Sequence, residues 1–356
     1  MLTNRILATR ILANCTVPAM EYPPRPSPRI VSLLPAATEI VAALGLEANL
    51  VGRSHECDEP AGVASLPALT AARIDASATS REIHDQVTQA GKALGGDTAA
   101  RTTAGSSGAA CSIGTSAALY SLDVDTLASL KPDLILTQAA CDVCAISAAD
   151  VEAAVQKACV NTQVLALSPA TLADLLSDIL AVGRATGRVA QAREVVARLR
   201  ARIASVACRV GTFSDRPRVA VIEWLDPPMA AGNWVPEMVR LAGGTDLFGT
   251  AGGHSHWISW DDVAAADPDI VILVPCGFTL ERVVAEAGST AVQPHLTRLR
   301  AYREGKVVAV DGHHLFNRPG PRLVDSFEVL AEILHPGRFA FGATRRFSQR
   351  LISGNA

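Results

Sequence analysis

The chain has 356 residues, of which 49% are apolar, and carries a formal net charge of −3. This length accommodates two domains, and the near-balanced charge is typical of a soluble globular protein. Lysine and arginine are scattered rather than clustered, which argues against nucleic acid as a partner because no basic face is available for phosphates. No apolar run reaches the roughly 18 residues that span a bilayer, so no membrane-spanning segment is predicted.

Residues 1–28 are predicted to form an extended N-terminal tail or a targeting segment. The first twenty residues contain no acid, but Arg10 interrupts the apolar core that a secretory signal requires. Five prolines between Pro18 and Pro28 disfavour a helix there. Because no convincing signal is visible, we expect a cytoplasmic protein, with an organelle or the periplasm as the alternatives.

An approximate internal duplication indicates two similar lobes. Residues 125–138 return in similar form as residues 261–274, and each copy has a short helix, a Pro-Asp turn and an apolar run typical of a buried parallel strand. A looser repeat relates residues 29–45 to residues 218–244. The sequence therefore predicts an α/β protein with two Rossmann-like lobes, each built on a parallel sheet.

The expected first lobe covers residues 29–170 and includes, at 95–116, a Gly/Ala/Ser/Thr-rich insertion that should be flexible. Residues 171–212 have helical periodicity, and a helix over 189–210 would be about 33 Å long at 1.5 Å per residue. That length suits a rigid backbone between the lobes, although an ordinary crossover helix would show the same periodicity. The second lobe is expected at 213–340, followed by a loose C-terminal tail at 341–356.

Ligands of parallel α/β sheets bind beyond the carboxyl ends of the strands. Half of the eight cysteines follow predicted strands at this position: Cys57, Cys141, Cys144 and Cys276. Four thiolates meeting across a cleft, with His55 nearby, would suit zinc or an iron–sulfur cluster. The alternative is that these cysteines are buried or cleft-lining thiols, since cysteine is a common small core residue.

Aromatic and imidazole side chains provide a second set of candidates. All four tryptophans lie in the expected second lobe, at Trp224, Trp234, Trp257 and Trp260. Such a cluster can enclose a flat apolar ligand, or it can belong to the core or to a seam between the lobes. Four histidines are candidate ligands for a metal ion or for cobalt: His254, His256, His313 and His314. The alternative is that they are exposed loop residues that contact only solvent.

The sequence contains no Walker loop, no dinucleotide-binding glycine motif after a strand, no zinc-protease motif and no nucleophile elbow. A cysteine enzyme would need Cys57 or Cys276 as the nucleophile and His55 as the base. No orienting third group can be assigned to that pair, so a protein that is not an enzyme is favoured.

Four segments resemble the periplasmic binding proteins with a rigid helical backbone, which capture cobalamin, siderophores, haem or metal ions for ATP-driven importers. They are residues 29–40, residues 130–136, the long helix and residues 317–323. Residues 51–60 and 224–228 look most like the cobalamin-binding branch. The similarity covers about residues 29–336.

This resemblance implies that a corrinoid lies flat between the lobes, as a bound ligand rather than a reactant. The positions that match its binding surface are His55, Glu56, Cys57, Tyr120, Trp224, His256, Trp257 and Phe316. It also implies that one exposed acid on each lobe docks on the importer permease, and the matching residues here are Asp125 and Asp261. The leading hypothesis is thus non-catalytic binding of cobalamin or a related corrinoid, and the alternative is a metal ion or cluster on the cleft cysteines.

Overall fold

The computed structural model describes residues 28–93, 119–138, 148–158 and 161–352. The expected insertion at 95–116, most of the N-terminal tail and both Cys141 and Cys144 lie outside these residues.

The first lobe contains a sheet in which all four strands are parallel, in the order β2-β1-β5-β6, and a separate antiparallel pair, β3 and β4. Its strands are β1 (Ile30–Ser32), β2 (Leu50–Arg53), β3 (Thr70–Ala72), β4 (Tyr120–Leu122), β5 (Leu134–Gln138) and β6 (Gln163–Leu167). Its helices are α1 (Pro35–Ala43), α2 (Ser80–Ala93), α3 (Val124–Leu130) and α4 (Ala148–Ala158).

Two helices, α5 (Leu172–Ala185) and α6 (Val189–Val210), connect the first lobe to the second. The second lobe has the strands β7 (Arg218–Leu225), β8 (Pro228–Ala230), β9 (Thr245–Asp246), β10 (His256–Trp257), β11 (Ile270–Leu273), β12 (Val307–Val310) and β13 (Ser348–Leu351). Its helices are α7 (Val235–Leu241), α8 (Trp260–Ala266), α9 (Leu280–Ala287), α10 (Gln293–Thr297), α11 (Arg300–Arg303), α12 (Leu323–Leu334) and α13 (Thr344–Phe347).

The second sheet is mixed, which differs from the parallel sheet that the sequence predicts. Strands β7, β9, β11 and β12 are parallel, whereas β8 and β13 pair in antiparallel fashion with β7 and β12. The expected loose tail is wrong over α13 and β13, because main-chain pairing with β12 orders this segment as an edge strand. The two-lobed α/β architecture itself is confirmed.

The internal duplication has the same local structure in both lobes. Helices α3 and α8 each end at a residue in the left-handed conformation, Lys131 and Asp267. In the first lobe the main-chain N–H of Arg29 donates to Asp133 at 2.9 Å, and in the second Arg218 donates to Asp269 at the same distance. The aspartate of each Pro-Asp turn thus fixes the start of the neighbouring central strand.

One continuous hydrophobic core joins the lobes through the connecting helices. Helix α5 packs on α1 of the first lobe, while α6 packs on α5 and on α7 and α12 of the second. A Cβ atom at Gly183 of α5 would lie 2.4 Å from Cβ of Ala192 on α6, so the absence of a side chain lets these helices approach closely. The predicted helical connection between the two lobes is therefore confirmed.

Within the part of the chain that the structure describes, none of the helices is long and apolar enough to cross a membrane.

Candidate functional site

The candidate site lies between the lobes, where loops from the carboxyl ends of both sheets meet. The first lobe contributes the loop after β2, and the second contributes the loop after β12. Asp58 of the first loop contacts both His313 and Arg318 of the second. The carboxyl ends of parallel strands therefore face each other across the lobes, as expected for a ligand site of this fold class.

Asp58 is the centre of a polar network that crosses from one lobe to the other. Its Oδ2 atom lies 2.6 Å from Nε2 of His313, and the Arg318 guanidinium donates to Oδ1 at 2.5 Å and to Oδ2 at 3.1 Å. Burial alone would raise the pKa of Asp58, but the hydrogen bonds from His313 and Arg318 hold it well below its usual range. This carboxylate is therefore ionised throughout the physiological pH range.

A second, more deeply buried ion pair adjoins this network. Glu39 of α1 accepts from Arg322 at 2.6 Å, and its side chain is only 7% exposed. Arg318 lies 3.7 Å from the same carboxylate. Burial raises the pKa of Glu39, while Arg322 and Arg318 oppose that shift. The two lobes are thus connected by charge pairs as well as by the shared hydrophobic core.

Two of the sequence-predicted ligand residues, His55 and Tyr120, lie together in the first lobe. Their ring centroids are 5.8 Å apart, and Nδ1 of His55 lies 2.8 Å from the hydroxyl oxygen of Thr70. Burial lowers the pKa of His55, so its imidazole is neutral near pH 7. Both rings are partly exposed. They form a rim to which a flat ligand could bind.

Cys57, by contrast, lies inside the core and is 1% exposed. Its sulfur lies 3.0 Å from the hydroxyl of Thr38 and 3.1 Å from that of Ser54. Burial raises the pKa of this thiol, although both hydrogen bonds oppose the shift. The expectation that Cys57 contacts a ligand or metal conflicts with this environment, because the sulfur is a protonated thiol in the interior.

The two described cysteines of the predicted set differ in their surroundings. Cys276 is exposed on the surface of the second lobe, whereas Cys57 is buried in the first. Cys141 and Cys144 lie outside the described residues.

Helix α2 of the first lobe packs against the second lobe beside the carboxyl end of β7. The indole N–H of Trp224 donates to the carbonyl oxygen of Ser80 at 3.1 Å, and Arg81 pairs with Asp226. Ile83 of α2 belongs to the second lobe's hydrophobic cluster. Trp224, predicted as a ligand contact, is therefore largely engaged by the protein's own helix.

Other contacts hold the segment that leads into α2. Glu286 accepts from both the main-chain N–H and the hydroxyl of Ser80, and Arg282 donates to the carbonyl oxygens of Ala76 and Ala78. The guanidinium of Arg282 also lies 3.5 Å from the ring centroid of Phe278. The second lobe thus binds this part of the first lobe through charged and polar groups.

The remaining predicted contacts divide between surface and core. Trp257 is 42% exposed and packs edge-on against His84 of α2, with ring centroids 4.9 Å apart. Glu56 and His256 are exposed. The prediction that Phe316 contacts a ligand conflicts with the structure, because its side chain is fully buried. Its main-chain oxygen accepts a hydrogen bond from the indole of Trp234. It has no surface with which to contact a ligand in this conformation.

The two predicted docking residues occupy equivalent positions on the two lobes. Asp125 lies in the first turn of α3 and Asp261 in the first turn of α8. Both are exposed, and Asp261 also pairs with Arg298 at 2.5 Å. Their matched placement follows directly from the internal duplication.

Sequence reasoning named His313 as a candidate metal ligand but missed its interlobe partners Asp58 and Arg318. Asp58 and His313 are 255 residues apart, so no local spacing predicts their contact. The available signal was their position in the two segments that carry the family resemblance. Residues 51–60 contain Asp58 and Glu59, and residues 317–323 contain Arg318 and Arg322.

The fold is that of a two-lobed binding protein. The model of the family described as "Periplasmic binding protein" matches residues 30–313, and the chain belongs to this family of solute-binding proteins. The cytoplasmic location expected from the sequence is wrong, because both this family and structurally similar proteins are periplasmic or extracytoplasmic.

A curated cobalamin-binding protein of Halobacterium salinarum is 31% identical over 160 residues, which is 43% of this chain and 42% of the relative. The match thus spans less than half the length of that relative.

Two solved structures share the fold. The periplasmic vitamin B12-binding protein BtuF of Vibrio cholerae is 19% identical, with a TM-score of 0.59 over 87% of this chain and 97% of that one. A periplasmic haem-binding protein from Pseudomonas aeruginosa is 20% identical, with a TM-score of 0.61 over 87% and 93%. At these identities the similarity establishes the fold, but not the ligand.

Proposed function

We propose that this protein binds cobalamin or a related corrinoid between its lobes, without altering it, and delivers it to an ATP-driven importer. The observation that carries the proposal is the presence of accessible rings on both lobes: His55 and Tyr120 lie together on the first, and Trp257 of the second lies against α2 of the first. Aromatic walls suit a flat macrocycle. The curated relative named for cobalamin binding favours a corrinoid over haem.

The contacts of Cys57 and His55 do not support an enzyme. The ring of His55 bonds to Thr70, and the sulfur of Cys57 bonds to Thr38 and Ser54. A thiolate–imidazole pair would require these two side chains to contact each other. We therefore favour a binding protein that performs no chemistry.

A metal ion or iron–sulfur cluster held by the four cysteines is the less favoured function. Cys57 would have to leave a core position and lose its proton before it could act as a ligand. Neither the family nor the relatives point to zinc or a cluster.

The test is a titration of the purified protein with cyanocobalamin and, separately, with haemin, followed by tryptophan fluorescence and visible absorbance. We expect one corrinoid per chain, and Trp257→Ala should weaken its binding at least tenfold. Phe341→Ala is a matched control, since Phe341 is 43% exposed and Trp257 is 42% exposed. Stoichiometric binding of haemin alone would replace the corrinoid with haem, and failure of both ligands would refute the proposal.

We also propose that Asp125 and Asp261 dock on basic residues of the importer permease. Both acids are exposed at the start of equivalent helices. Asp125→Asn with Asp261→Asn should leave corrinoid affinity unchanged and abolish corrinoid uptake in cells that depend on this protein. Normal uptake by the double variant would argue against docking through these residues.

A further inference from the structure

The interface between the lobes contains a group of metal-binding side chains that involves no cysteine. Asp58, His313 and His314 each present one ligand atom, and these three atoms lie within 4.8 Å of one another. Ligands around a tetrahedral zinc ion, each about 2.0–2.1 Å from the metal, lie roughly 3.3 Å apart. Side-chain movements of little more than about 1 Å would therefore bring these atoms to coordination distance.

The surroundings of His314 match those of a metal-ligating histidine. Asp311 accepts from Nδ1 of His314 at 2.9 Å, which leaves Nε2 with its lone pair available. Asp311 also accepts from the main-chain N–H groups of His313 and His314, at 3.0 Å and 2.8 Å. Metal-bound histidines commonly donate their second nitrogen to a carboxylate in this way, which fixes the tautomer and the orientation of the ring.

The local charge balance also accommodates a divalent cation. Four carboxyl groups lie at or next to the site, and two guanidinium groups oppose three of them: Arg318 pairs with Asp58 and Glu39, and Arg322 pairs with Glu39 and Glu59. The fourth contacts His314. The carboxyl groups belong to Glu39, Asp58, Glu59 and Asp311. Arg318 lies 3.0 Å from Nε2 of His313 and is the principal competitor for the site, but it can keep its contact with Oδ1 of Asp58 while Oδ2 turns to a metal.

We propose that Asp58, His313 and His314 bind one divalent transition-metal ion of the zinc type, with Asp311 as the residue that orients His314. Two imidazoles and a carboxylate are ligands that suit zinc, and a fourth position would remain for water. Asp58 comes from the first lobe and both histidines from the second, so the ion would link the lobes. The proposal does not rest on the corrinoid proposal and can be tested without a corrinoid.

The test uses the full chain, stripped of metal with a chelator and titrated with Zn²⁺ by calorimetry and with Co²⁺ by absorbance. We expect one ion per chain, a higher Tm with Zn²⁺ present, and a visible Co²⁺ spectrum without the strong near-ultraviolet band that thiolate ligands produce. The absence of that band distinguishes this site from a site with cysteine ligands. Absence of binding, or a thiolate spectrum at one ion per chain, would overturn the proposal.

Variants then assign the ligands. His314→Gln should lower the affinity for Zn²⁺ at least tenfold, and Asp311→Asn should lower it about 10- to 100-fold because the ring of His314 loses its fixed orientation. His254→Gln removes an exposed histidine of another loop and should leave affinity unchanged. The circular dichroism spectrum of each apo variant reports whether it is folded. A folded His314→Gln protein with wild-type affinity would contradict the assignment.

Discussion

Glu39 and Arg322 form an ion pair that is largely removed from water, with side chains 7% and 23% exposed. Arg322→Ala would leave the Glu39 carboxylate buried without its nearest partner, and breaking such pairs typically costs about 3 kcal/mol or more. We expect this loss in urea unfolding. The control Arg338→Ala breaks an exposed pair with Asp215 and should cost at most about 1 kcal/mol. Equal losses in the two variants would show that the interlobe pair contributes no more than a surface pair.

Glu223 on β7 gives a second expectation at the scale of single residues. Burial raises the pKa of Glu223 to about 7, although hydrogen bonds from Ser255 and Gly232 oppose the shift. Between pH 4.5 and 7 the folded state therefore binds more protons than the unfolded state, so the free energy of unfolding falls as pH rises, by roughly 3 kcal/mol in total. Burial also raises the pKa of Asp178 to about 7, aided by Asp174, and adds a slope of the same sign.

The contribution of Glu223 is isolated by substitution. Glu223→Gln should be less sensitive to pH than the wild type between pH 4.5 and 7, as measured by urea unfolding at pH 5 and pH 7.5. Glu194→Gln, at an exposed position on α6, should follow the wild type. If Glu223→Gln keeps the full wild-type slope, Glu223 is not the group that titrates.

At the scale of elements, the start of α2 is anchored by Glu286 through two hydrogen bonds to Ser80. A carboxylate at a helix N-terminus is stabilising because it interacts with free N–H groups and with the helix dipole. Glu286→Ala should release α2 from the second lobe and speed amide hydrogen exchange over residues 80–91 about tenfold, by loss of charge-assisted hydrogen bonds. Glu286 lies on α9, and Glu281 lies on the exposed face of the same helix α9. Glu281→Ala should leave the exchange rate of α2 unchanged. Equal acceleration of exchange in both variants would mean that general loosening of α9 is responsible.

The elements that the sequence predicted well are those with a local cause. The Pro-Asp turns stop α3 and α8 and start β5 and β11, so the duplication was visible in fourteen residues of each copy. Strand β13 has no such signal: Ser348–Leu351 contains one apolar residue and is ordered only by pairing with β12. Edge strands of this kind depend on a neighbour that no local pattern reveals.

The candidate site was predictable only in part, for a similar reason. His55 and Tyr120 were predicted as ligand contacts and lie together, but Phe316 fills the core because Trp234 and Ser326 bind its main chain and fix it there. The contacts of Asp58 with His313 and of Ser80 with Glu286 join residues more than 200 positions apart. Such pairs are set by how the lobes pack, which a single sequence does not specify.

At the scale of the whole molecule, the two lobes share one hydrophobic core and are joined by interlobe ion pairs. We expect a single cooperative unfolding transition. The four tryptophans, all in the second lobe, report that lobe by fluorescence, whereas far-ultraviolet circular dichroism reports helices of both lobes. Coincident transitions by the two probes would indicate one unit, and separate transitions would show that the lobes unfold independently.

The close packing of α5 and α6 at Gly183 provides the variant that should uncouple the lobes. A valine side chain there would collide with Ala192, because a Cβ atom at residue 183 would lie only 2.4 Å from the Cβ of Ala192, and neither helix backbone can move without disturbing the core on both sides. Gly183→Val should lower the unfolding midpoint in urea and separate the fluorescence and circular dichroism transitions. Gly288→Ala, at the end of α9 where a Cβ would make only ordinary contacts of 3.5–3.6 Å, is the control and should retain a single transition. If Gly183→Val unfolds in one transition at the wild-type midpoint, the helical backbone is not what couples the lobes.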